Sequence, residues 1–494
     1  MTTRASPAVW LLRLVLAACA ASWIDCSASA GAEGGGTITF SPALDPKRLL
    51  HNPACGWVIY ANSSRELDEY ARVIPFATVV HIRVPWSKLE PTEGNYAWNN
   101  DPSFESFVKE IRRQGLRISL RVFVDSEDIR TQVTPLFMRD AGAHGYSGGN
   151  KSFTYWNPYY DDPVFKQKWA QFVHAMAARY DDPGMVDWVE LGLGKWGEMH
   201  TLWPARNHET TDGYHGSDAA VVQWDVDLFA QSFKKVLVAA QFGSADDAAM
   251  DQALKAGTLD IIRRDAFASP LWLPEKKKQY FAKLWERGSA MMAENCYFNI
   301  EKWQSPWLPF YPGLDALVKG YLRDAEECHA NTLSINTHAD ADTYFEEYKD
   351  SLLIPWSREC GYQLYPASIT LPEHPVAGSK IDIAQTWCNA GVGRMPNASP
   401  RWHHKYHVAF AWIDDHDTVV ASTMTAAEPS NWIAGQIFSF TESVTVPATE
   451  QRSLRVAVGI VDTSAKEQPS IQLALAGPRI ADTWYVLGLV ELKP

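Results

Sequence analysis

The chain has 494 residues, with a hydrophobic fraction of 46%, a charged fraction of 21% and a formal net charge of −13 at pH 7. This length exceeds one ordinary core and predicts two domains, one of which can be a large barrel. The negative charge argues against nucleic acid as a partner. It favours an uncharged or basic substrate over a polyanion, unless a local basic pocket exists.

The first 30 residues have the pattern of a targeting segment. An apolar run covers Leu14–Ala21, and Ala28-Ser29-Ala30 offers a small-residue cleavage site. The sequence therefore predicts a signal peptide over 1–30 and a secreted or cell-envelope protein. Leu16-Ala17-Ala18-Cys19 also resembles a lipobox, which leaves a lipid anchor at Cys19 as an alternative and as the one expected membrane contact. No later run reaches the roughly 20 apolar residues of a membrane span.

From residue 50 to 361, short apolar runs alternate with amphipathic helical patterns. The runs predict eight strands, which are Cys55–Tyr60, Thr78–Trp86, Leu116–Val124, Val186–Leu193, Val236–Phe242, Leu259–Ile262, Ala290–Ala293 and Thr332–Ile335. A helical pattern follows each strand, and such alternation requires parallel strands with right-handed crossovers. Eight units predict a (β/α)8 TIM barrel over 37–361, with a doubly wound sheet as the structural alternative.

After Tyr362 the pattern changes to short strands separated by Gly, Pro, Asn and Asp. The clearest strands are Ile381–Ile383, His407–Trp412, Leu454–Val461 and Trp484–Val490. This spacing predicts an antiparallel β-sandwich over 362–494.

Cysteine usage excludes a zinc ribbon and a redox motif, because the chain has no CxxC pair. Outside the leader the cysteines are Cys55, Cys296, Cys328, Cys360 and Cys388. Export permits a disulfide among them, and the pairing stays open.

In a TIM barrel the active site lies at the C-terminal ends of the strands, so the residues after each predicted strand are the candidates. After strand four the sequence Val189–His200 contains three glycines and the pair Gly197-Glu198. The glycines allow a tight turn, and Trp196 can shield the Glu198 carboxyl from water. Partial desolvation raises a carboxyl pKa, as a general acid needs. Glu190, earlier in this strand, is the competing candidate and could instead be a buried support.

This stretch resembles the β-amylases, which carry a similar Glu-Val-Gly-Leu-Gly-x-x-Gly-Glu sequence after strand four. The resemblance covers about a dozen residues and implies that Glu198 is the general acid. After strand seven, four apolar residues lead into Glu294-Asn295. Many glycosidase barrels place a nucleophile or base at this strand end, so Glu294 is predicted as the second catalytic carboxylate. Glu301 is its nearest rival.

The end of strand two contains Arg83 and Trp86, and Leu89-Glu90-Pro91 and the sequence Gly94 to Trp98 follow it. This pattern resembles the strand-two region of the large retaining glycosidase clan of TIM barrels. The resemblance implies that Arg83 supports the charge of the nucleophile and that Trp86 packs beneath the site. The barrel with a C-terminal β domain is also similar to a poorly characterised group of bacterial glycosidase-like proteins, whose Gly-x-Trp-Gly-Glu-x-His pattern matches Gly194–His200.

Further polar residues near the strand ends are candidates for sugar binding, since several on one rim would converge. They are Arg121, Asp125, His200, Gln241, Asp265, Asn336 and His338. The chain has 21 tryptophans, and a flat apolar ring matches the C–H face of a pyranose. The stacking candidates are Trp57, Trp86, Trp196, Trp203, Trp303 and Trp307. His338 and Asp340 are too few for a metal site, so neither a metal nor a cofactor is expected.

Together these features predict a glycoside hydrolase that cleaves an oligo- or polysaccharide with two carboxylates. A carboxyl separation of about 5 Å implies retention of anomeric configuration, and one of roughly 6.5–9.5 Å implies inversion. Two alternatives stay open. One is a catalytically inactive carbohydrate-binding protein on the same barrel, and the other is a cell-surface module in which the β-sandwich is the working part.

Overall fold

The computed structural model of the protein describes residues 36–127, 129–201, 218–243, 247–295, 310–335, 338–464, 468–480 and 483–493. The predicted leader over 1–30 lies outside these ranges. No helix within them combines the length and the apolar character needed to cross a membrane.

The strands of these ranges are numbered in chain order. They are β1 Thr37–Phe40, β2 Gly56–Tyr60, β3 Ala77–Pro85, β4 Arg117–Phe123, β5 Gly145–Asn150, β6 Phe153–Pro158, β7 Val186–Glu190, β8 Leu237–Gln241, β9 Ile261–Phe267, β10 Ala290–Asn295, β11 Ala330–Ile335, β12 Leu364–Pro372, β13 Lys380–Asn389, β14 Tyr406–Ile413, β15 Val419–Met424, β16 Phe438–Thr445, β17 Ser453–Asp462, β18 Pro469–Ile471, β19 Arg479–Ile480 and β20 Trp484–Glu491.

The α-helices of these ranges are Ser64–Asp68, Trp86–Leu89, Ala97–Asn100, Pro102–Arg113, Phe137–Asp140, Pro163–Tyr180, Asp218–Ser232, Asp247–Ala256, Glu275–Glu286, Leu314–Glu327, Ala341–Tyr348 and Ile354–Glu359. Two of them begin in the same way: Asp101 and Asp162 accept hydrogen bonds from backbone amides of the first turn, and a proline occupies the first helical position. These caps satisfy amides that have no partner within a helix.

The eight predicted strands form a closed parallel barrel, in the order β2, β3, β4, β7, β8, β9, β10 and β11, with β11 pairing back to β2. The TIM-barrel prediction is therefore confirmed. Most residues of these strands are buried, whether their side chains point into the barrel or towards the helices, because helices cover the outside of the parallel sheet. This double burial explains why the strands read as continuous apolar runs.

Two antiparallel sheets form the predicted β-sandwich. One has the order β1-β12-β13-β16 and the other β15-β14-β17-β20-β19, with β18 beside β17. The predicted domain boundary needs one correction, because β1 pairs with β12 and so belongs to the sandwich rather than to the barrel.

The sandwich contacts the barrel at the N-terminal ends of the strands. Arg401 donates to Asp260, which precedes β9, at 2.5 Å, and to the carbonyl oxygen of Phe233 at 3.1 Å. Asn331, near the start of β11, donates to the carbonyl oxygen of Arg394 at 2.7 Å. The sandwich therefore packs against the N-terminal face of the barrel. These contacts leave the C-terminal face uncovered, which is the face where TIM barrels have their active sites.

Two local features differ from the predictions. The pair β5–β6 forms a hairpin in the loop after β4. The helical pattern that follows the eighth predicted strand is divided into Ala341–Tyr348, a π-helical turn over Lys349–Leu353 and the helix Ile354–Glu359. Pro355 has no amide to donate to the carbonyl four residues earlier, which accounts for the interruption of the α-helical pattern.

Candidate active site

The C-terminal ends of the barrel strands carry a group of charged side chains. Strand pairing places Arg83 of β3 beside Arg121 of β4, and Arg121 beside Glu190 of β7. Gln241 of β8 pairs with Arg263 of β9 in the same way. Successive residues of a strand alternate between faces, so residues paired in register point to the same side of the sheet.

The loop after β7 brings Glu198 to this group by a turn that needs glycine. Gly194, Trp196 and Gly197 have φ angles of +79°, +56° and +72°. A Cβ atom on Gly197 would lie 2.8 Å from Cδ of Arg121 and 2.9 Å from Cβ of Phe123, so the backbone passes directly over β4. This turn places Glu198 beside Arg121, with Glu198 only 6% exposed.

Two arginines connect three carboxylates at the centre of the site. Arg121 lies 2.7 Å from Oε2 of Glu190, 3.3 Å from Oε1 of Glu198 and 3.8 Å from Oε2 of Glu294. Arg263 lies 3.6 Å from Oε2 of Glu190 and 3.6 Å from Oε1 of Glu198, and its Nη2 contacts Oε2 of Glu294. All five side chains are less than one tenth exposed, so these ion pairs are largely removed from water.

Glu198 and Glu294 therefore lie close together, although they come from different sides of the barrel. Since both contact the one planar guanidinium of Arg121, their nearest carboxyl oxygens are less than about 10 Å apart, which includes the separations of both retaining and inverting glycosidases. Both carboxyls converge on one centre. The assignment of Glu198 and Glu294 as a catalytic pair stays a prediction.

Glu190 has the surroundings of a permanently ionised carboxylate. Its burial alone would raise its pKa, but the charges of Arg121, His81 and Arg263 and a hydrogen bond from Trp188 lower that pKa well below the usual range. Burial in turn lowers the pKa of His81 well below its usual value. A carboxylate that stays ionised cannot supply a proton near neutral pH, so Glu190 is suited to holding Arg121 and Arg263 in place.

The two carboxyls of the pair differ in which oxygens face cations. Glu294 directs Oε2 at both Arg121 and Arg263. Glu198 directs Oε1 at the arginines, while its Oε2 lies 3.9 Å from Nε2 of His200. Burial lowers the pKa of His200, which favours the neutral imidazole at neutral pH. Glu294 thus directs one oxygen at two cations, whereas Oε2 of Glu198 faces the imidazole of His200.

Arg83 does not make the contact implied by the clan resemblance. Its side chain has no ion pair with Glu294 or with any carboxylate in the part of the chain that the structure describes, and the arginines beside Glu294 are Arg121 and Arg263. The reason is geometric, because the loop carrying Glu198 and Arg121 of the next strand already surround the carboxylates.

Three further predictions are wrong for residues buried in the core. Trp57 and Trp86 are 1% and 0% exposed, with their indole nitrogens donating to the carbonyl oxygen of Leu353 and to Glu90. Neither ring face is open to a sugar, and Trp86 packs on other aromatic rings. Asp125 is fully buried and accepts hydrogen bonds from Tyr146 and Tyr160, which fixes the β5–β6 hairpin.

Other predicted residues do border the site. Trp196 is half-buried, with His200 packed edge-on at 6.2 Å between ring centroids. Gln241 donates to Asp265 at 2.5 Å and accepts from Arg263. The side chain of Asp265 is 28% exposed, so this carboxylate is open to a ligand. Several predictions lie outside the described residues or side chains, namely Trp203, Glu301, Trp303, Trp307, Asn336 and His338.

Sequence reasoning missed Arg263 and Tyr60, whose hydroxyl accepts from Arg263 at 3.5 Å. Burial raises the pKa of Tyr60 to about 12, so the phenol stays protonated. A signal for Arg263 existed: two arginines and an aspartate directly follow an apolar run, and a buried arginine requires a carboxylate partner. Within the described residues, no group of three or more His, Cys, Asp or Glu could hold a metal.

No family model and no curated protein sequence matches the chain. Solved structures similar to it include an exo-β-1,4-mannosidase from Opitutaceae bacterium strain TAV5, with 13% identity and a TM-score of 0.39 over 62% of this chain. That match spans 58% of the mannosidase. Endo-glycoceramidase II from Rhodococcus sp. has 13% identity and a TM-score of 0.39 over 81% of this chain and 100% of its own.

A psychrophilic family 10 endo-β-1,4-xylanase has 10% identity and a TM-score of 0.35, over 57% of this chain and 85% of its own. The three similar proteins are all glycoside hydrolases.

Proposed function

We propose that the protein is a glycoside hydrolase that uses Glu198 and Glu294 as its carboxylate pair. The observation that carries the proposal is that both side chains, from the loop after β7 and from β10, contact Arg121 and Arg263 at the centre of the barrel. Two carboxyls held within a sugar-sized distance are the arrangement that glycosidic bond cleavage needs.

In the proposed reaction, Glu198 donates the proton on Oε2 to the glycosidic oxygen as the bond from that oxygen to the anomeric carbon breaks. Glu294 is held as an anion by two guanidinium groups, and it either attacks the anomeric carbon or takes a proton from the attacking water. The first route passes through a covalent glycosyl intermediate that water then hydrolyses, and the second is a single displacement.

The remaining residues of the site suit an uncleaved part of the substrate. Trp196 offers a partly exposed aromatic ring for a pyranose face. Asp265 and His200 are exposed enough to hydrogen-bond sugar hydroxyls, and Gln241 holds Asp265 in position. These contacts would orient the sugar with its anomeric carbon between the two carboxyls.

The test is a screen of the purified protein on mixed oligosaccharides, with the anomer of the first product followed by NMR. We expect Glu198→Gln and Glu294→Gln each to lower turnover by at least about 100-fold while the protein still binds sugar. Glu105→Gln, on the outer helix Pro102–Arg113, is the matched control and should leave turnover unchanged. Full activity in either site variant would refute the assignment.

One observation favours a second candidate, a barrel that binds carbohydrate without cleaving it. Arg263 contacts both Glu198 and Glu294, so it occupies part of the space between them. In that case the wild-type protein binds oligosaccharides but releases no product, and Glu198→Gln changes affinity only. The product screen and a binding isotherm on the same samples separate the two candidates.

We also propose that the protein is exported, with cleavage after the segment 1–30 or lipid attachment at Cys19. Intact mass of the protein isolated from its native envelope or medium distinguishes these two forms. A mature chain that retains the leader without a lipid would contradict both.

A further inference from the structure

Among the residues that the structure describes, Arg83 has no acidic partner, unlike the other arginines of the site. Arg121 and Arg263 contact glutamates, and Arg264 lies 3.0 Å from Oδ1 of Asp265. The backbone amide of Arg83 donates to Asn62 at 2.9 Å, but its guanidinium has no hydrogen bond or ion pair with any residue that the structure describes. The side chain is nevertheless only partly exposed to solvent.

An enclosed guanidinium without a counter-ion is costly, because burial removes the hydration of a group that cannot release its proton. Burial and the charge of Arg121 both lower the pKa of Arg83, and the charge of Glu198 opposes them. These shifts indicate a cation held in surroundings that are short of negative charge. Since the other arginines of the rim are paired, Arg83 is the place where an additional anion would be stabilised.

The charges at the centre of the site also favour an additional anion at Arg83. In the part of the chain that the structure describes, the centre contains three carboxyls and three guanidinium groups, which belong to Glu190, Glu198, Glu294, Arg83, Arg121 and Arg263. When Glu198 is protonated, as a general acid must be before it reacts, one positive charge remains without a counterpart. The excess arises on the side of Arg83, because the other two arginines keep their contacts with Glu190 and Glu294.

We propose that Arg83 binds an anionic substituent, a carboxylate or a sulfate ester, on the sugar held at Glu198 and Glu294. This inference rests on the proposed function, since it names the substrate class of the same site. Arg83 pairs in register with Arg121, which contacts Glu198 directly. Adjacent strands are about 4.8 Å apart and the charge of Glu198 acts on Arg83, so we expect the anion on the sugar that contacts Glu198 or on its neighbour. The local basic group thereby accommodates an acidic sugar despite the overall charge of −13.

The test compares anionic sugars with their neutral counterparts by calorimetry, which needs no hydrolysis. The uronate arm uses D-glucuronate, D-galacturonate and D-mannuronate, and the sulfate arm uses the 6-sulfates of glucose and galactose. We expect at least one anionic sugar to bind the wild-type protein about 10- to 100-fold more tightly than its neutral counterpart. The arm that shows this preference identifies the substituent.

Arg83→Gln should abolish that preference, and Arg83→Lys should retain part of it, because lysine keeps the charge but lacks the planar fork. Arg65→Gln, at a side chain that is 89% exposed, is the matched control and should retain all of it. If the wild-type protein shows no preference in either arm, or if Arg83→Gln keeps the preference, the inference is overturned. The wild-type comparison decides the matter even where an Arg83 variant does not fold.

The outcome is separable from that of the proposed function. Anionic preference that depends on Arg83, without any hydrolysis, supports the binding inference and contradicts the hydrolase. Hydrolysis of neutral glycosides, without any preference for anionic sugars, supports the hydrolase and contradicts the binding inference.

Discussion

Nη1 of Arg121 lies 3.3 Å from Oε1 of Glu198, and this contact joins the third barrel strand to the loop that follows the fourth. The same guanidinium contacts Glu190 and approaches Glu294. Arg121 is itself fully buried, so these contacts are removed from water. Together with Arg263, Arg121 therefore sets the relative positions of both proposed catalytic carboxyls.

Arg121→Met is expected to remove the contacts with the three glutamates and to leave Glu190 with one arginine fewer. Breaking a buried ion pair costs about 3–5 kcal/mol, so the free energy of unfolding should fall by that amount. Arg121→Lys keeps the charge without the fork, and we expect it to fold but to lose about 100-fold in turnover. Urea unfolding and steady-state kinetics measure the two effects. Arg113→Met, at an exposed helix position, should change neither; if it matched Arg121→Met, the effect could not be assigned to the site.

We expect position 197 to need glycine for two reasons, the lack of space for a side chain and the backbone conformation. In Gly197→Ala the new methyl group meets Arg121 at 2.8 Å, and the φ angle of +72° disfavours any side chain. Gly94→Ala is a closely matched control, because Gly94 has a φ angle of +73° and no atom within 4 Å of the added Cβ. Both variants should lose about 1 kcal/mol of stability from the backbone.

Only Gly197→Ala should additionally lower turnover, because displacement of Arg121 and Glu198 alters the carboxyl pair. Kinetics of the two variants, compared at matched folded fractions, give the difference. Equal activities would show that the close approach of this loop to Arg121 does not matter for the site.

The barrel was predictable because each of its strands is a local apolar run followed by an amphipathic helix. The extent of β9 was not, since its apolar run stops at Ile262 whereas the strand continues through Arg263 to Phe267. Charges inside a barrel are stabilised only by partners from distant strands, here Glu294 of β10 and Glu190 of β7. No local pattern contains that pairing, so the strand was predicted too short and its arginine was missed.

The proposed catalytic pair could be identified from sequence for a related reason. Glu294 lies at the C-terminal end of β10 and Glu198 in the loop after β7, and the C-terminal strand ends of a closed barrel converge. What the sequence could not supply was which side chains fill the space between them. Trp196 is partly exposed and borders the site, whereas Trp57 and Trp86 are fully buried in the core. In the sequence all three are simply tryptophans near strand ends.

Asp225 should make stability depend on pH in the neutral range. This side chain is fully buried on the helix Asp218–Ser232, and Oδ1 accepts a hydrogen bond from the Trp169 indole at 2.9 Å. Burial raises the pKa of Asp225 to about 7. A raised carboxyl pKa means that folding favours the neutral acid. The stabilisation from the protonated Asp225 is complete below about pH 3.9, the pKa of an aspartate in the unfolded chain. It is lost as the pH rises through about 7.

We therefore expect the difference in Tm between Asp225→Asn and the wild-type protein to grow in favour of the variant from pH 5 to pH 8. Asparagine keeps the acceptor for Trp169 and carries no charge. Asp227→Asn, two residues later on the same helix, is the control and should leave the pH profile of Tm unchanged. A difference that is constant across this range would mean that Asp225 does not titrate there.

Cys55 and Cys360 are positioned to form a disulfide that links the start of the first barrel strand to the end of the last barrel helix. Their sulfur atoms are 3.7 Å apart and buried. The hydrogen bond from Cys55, together with burial, raises the pKa of Cys360, so little thiolate is available for exchange in the folded protein. We expect the bond to form on refolding with oxidised glutathione, where the two thiols lose two hydrogens and the glutathione disulfide is reduced to two thiols.

The product should show a mass loss of about 2 Da relative to the reduced chain and a free energy of unfolding higher by roughly 2–4 kcal/mol, because the cross-link restricts a long loop of the unfolded chain. Cys360→Ser should abolish both changes. Cys388→Ser, in β13, should retain them, which excludes pairing with that cysteine. Refolded protein that keeps both Cys55 and Cys360 free to react with an alkylating reagent after denaturation would show that the pair remains reduced under oxidising conditions.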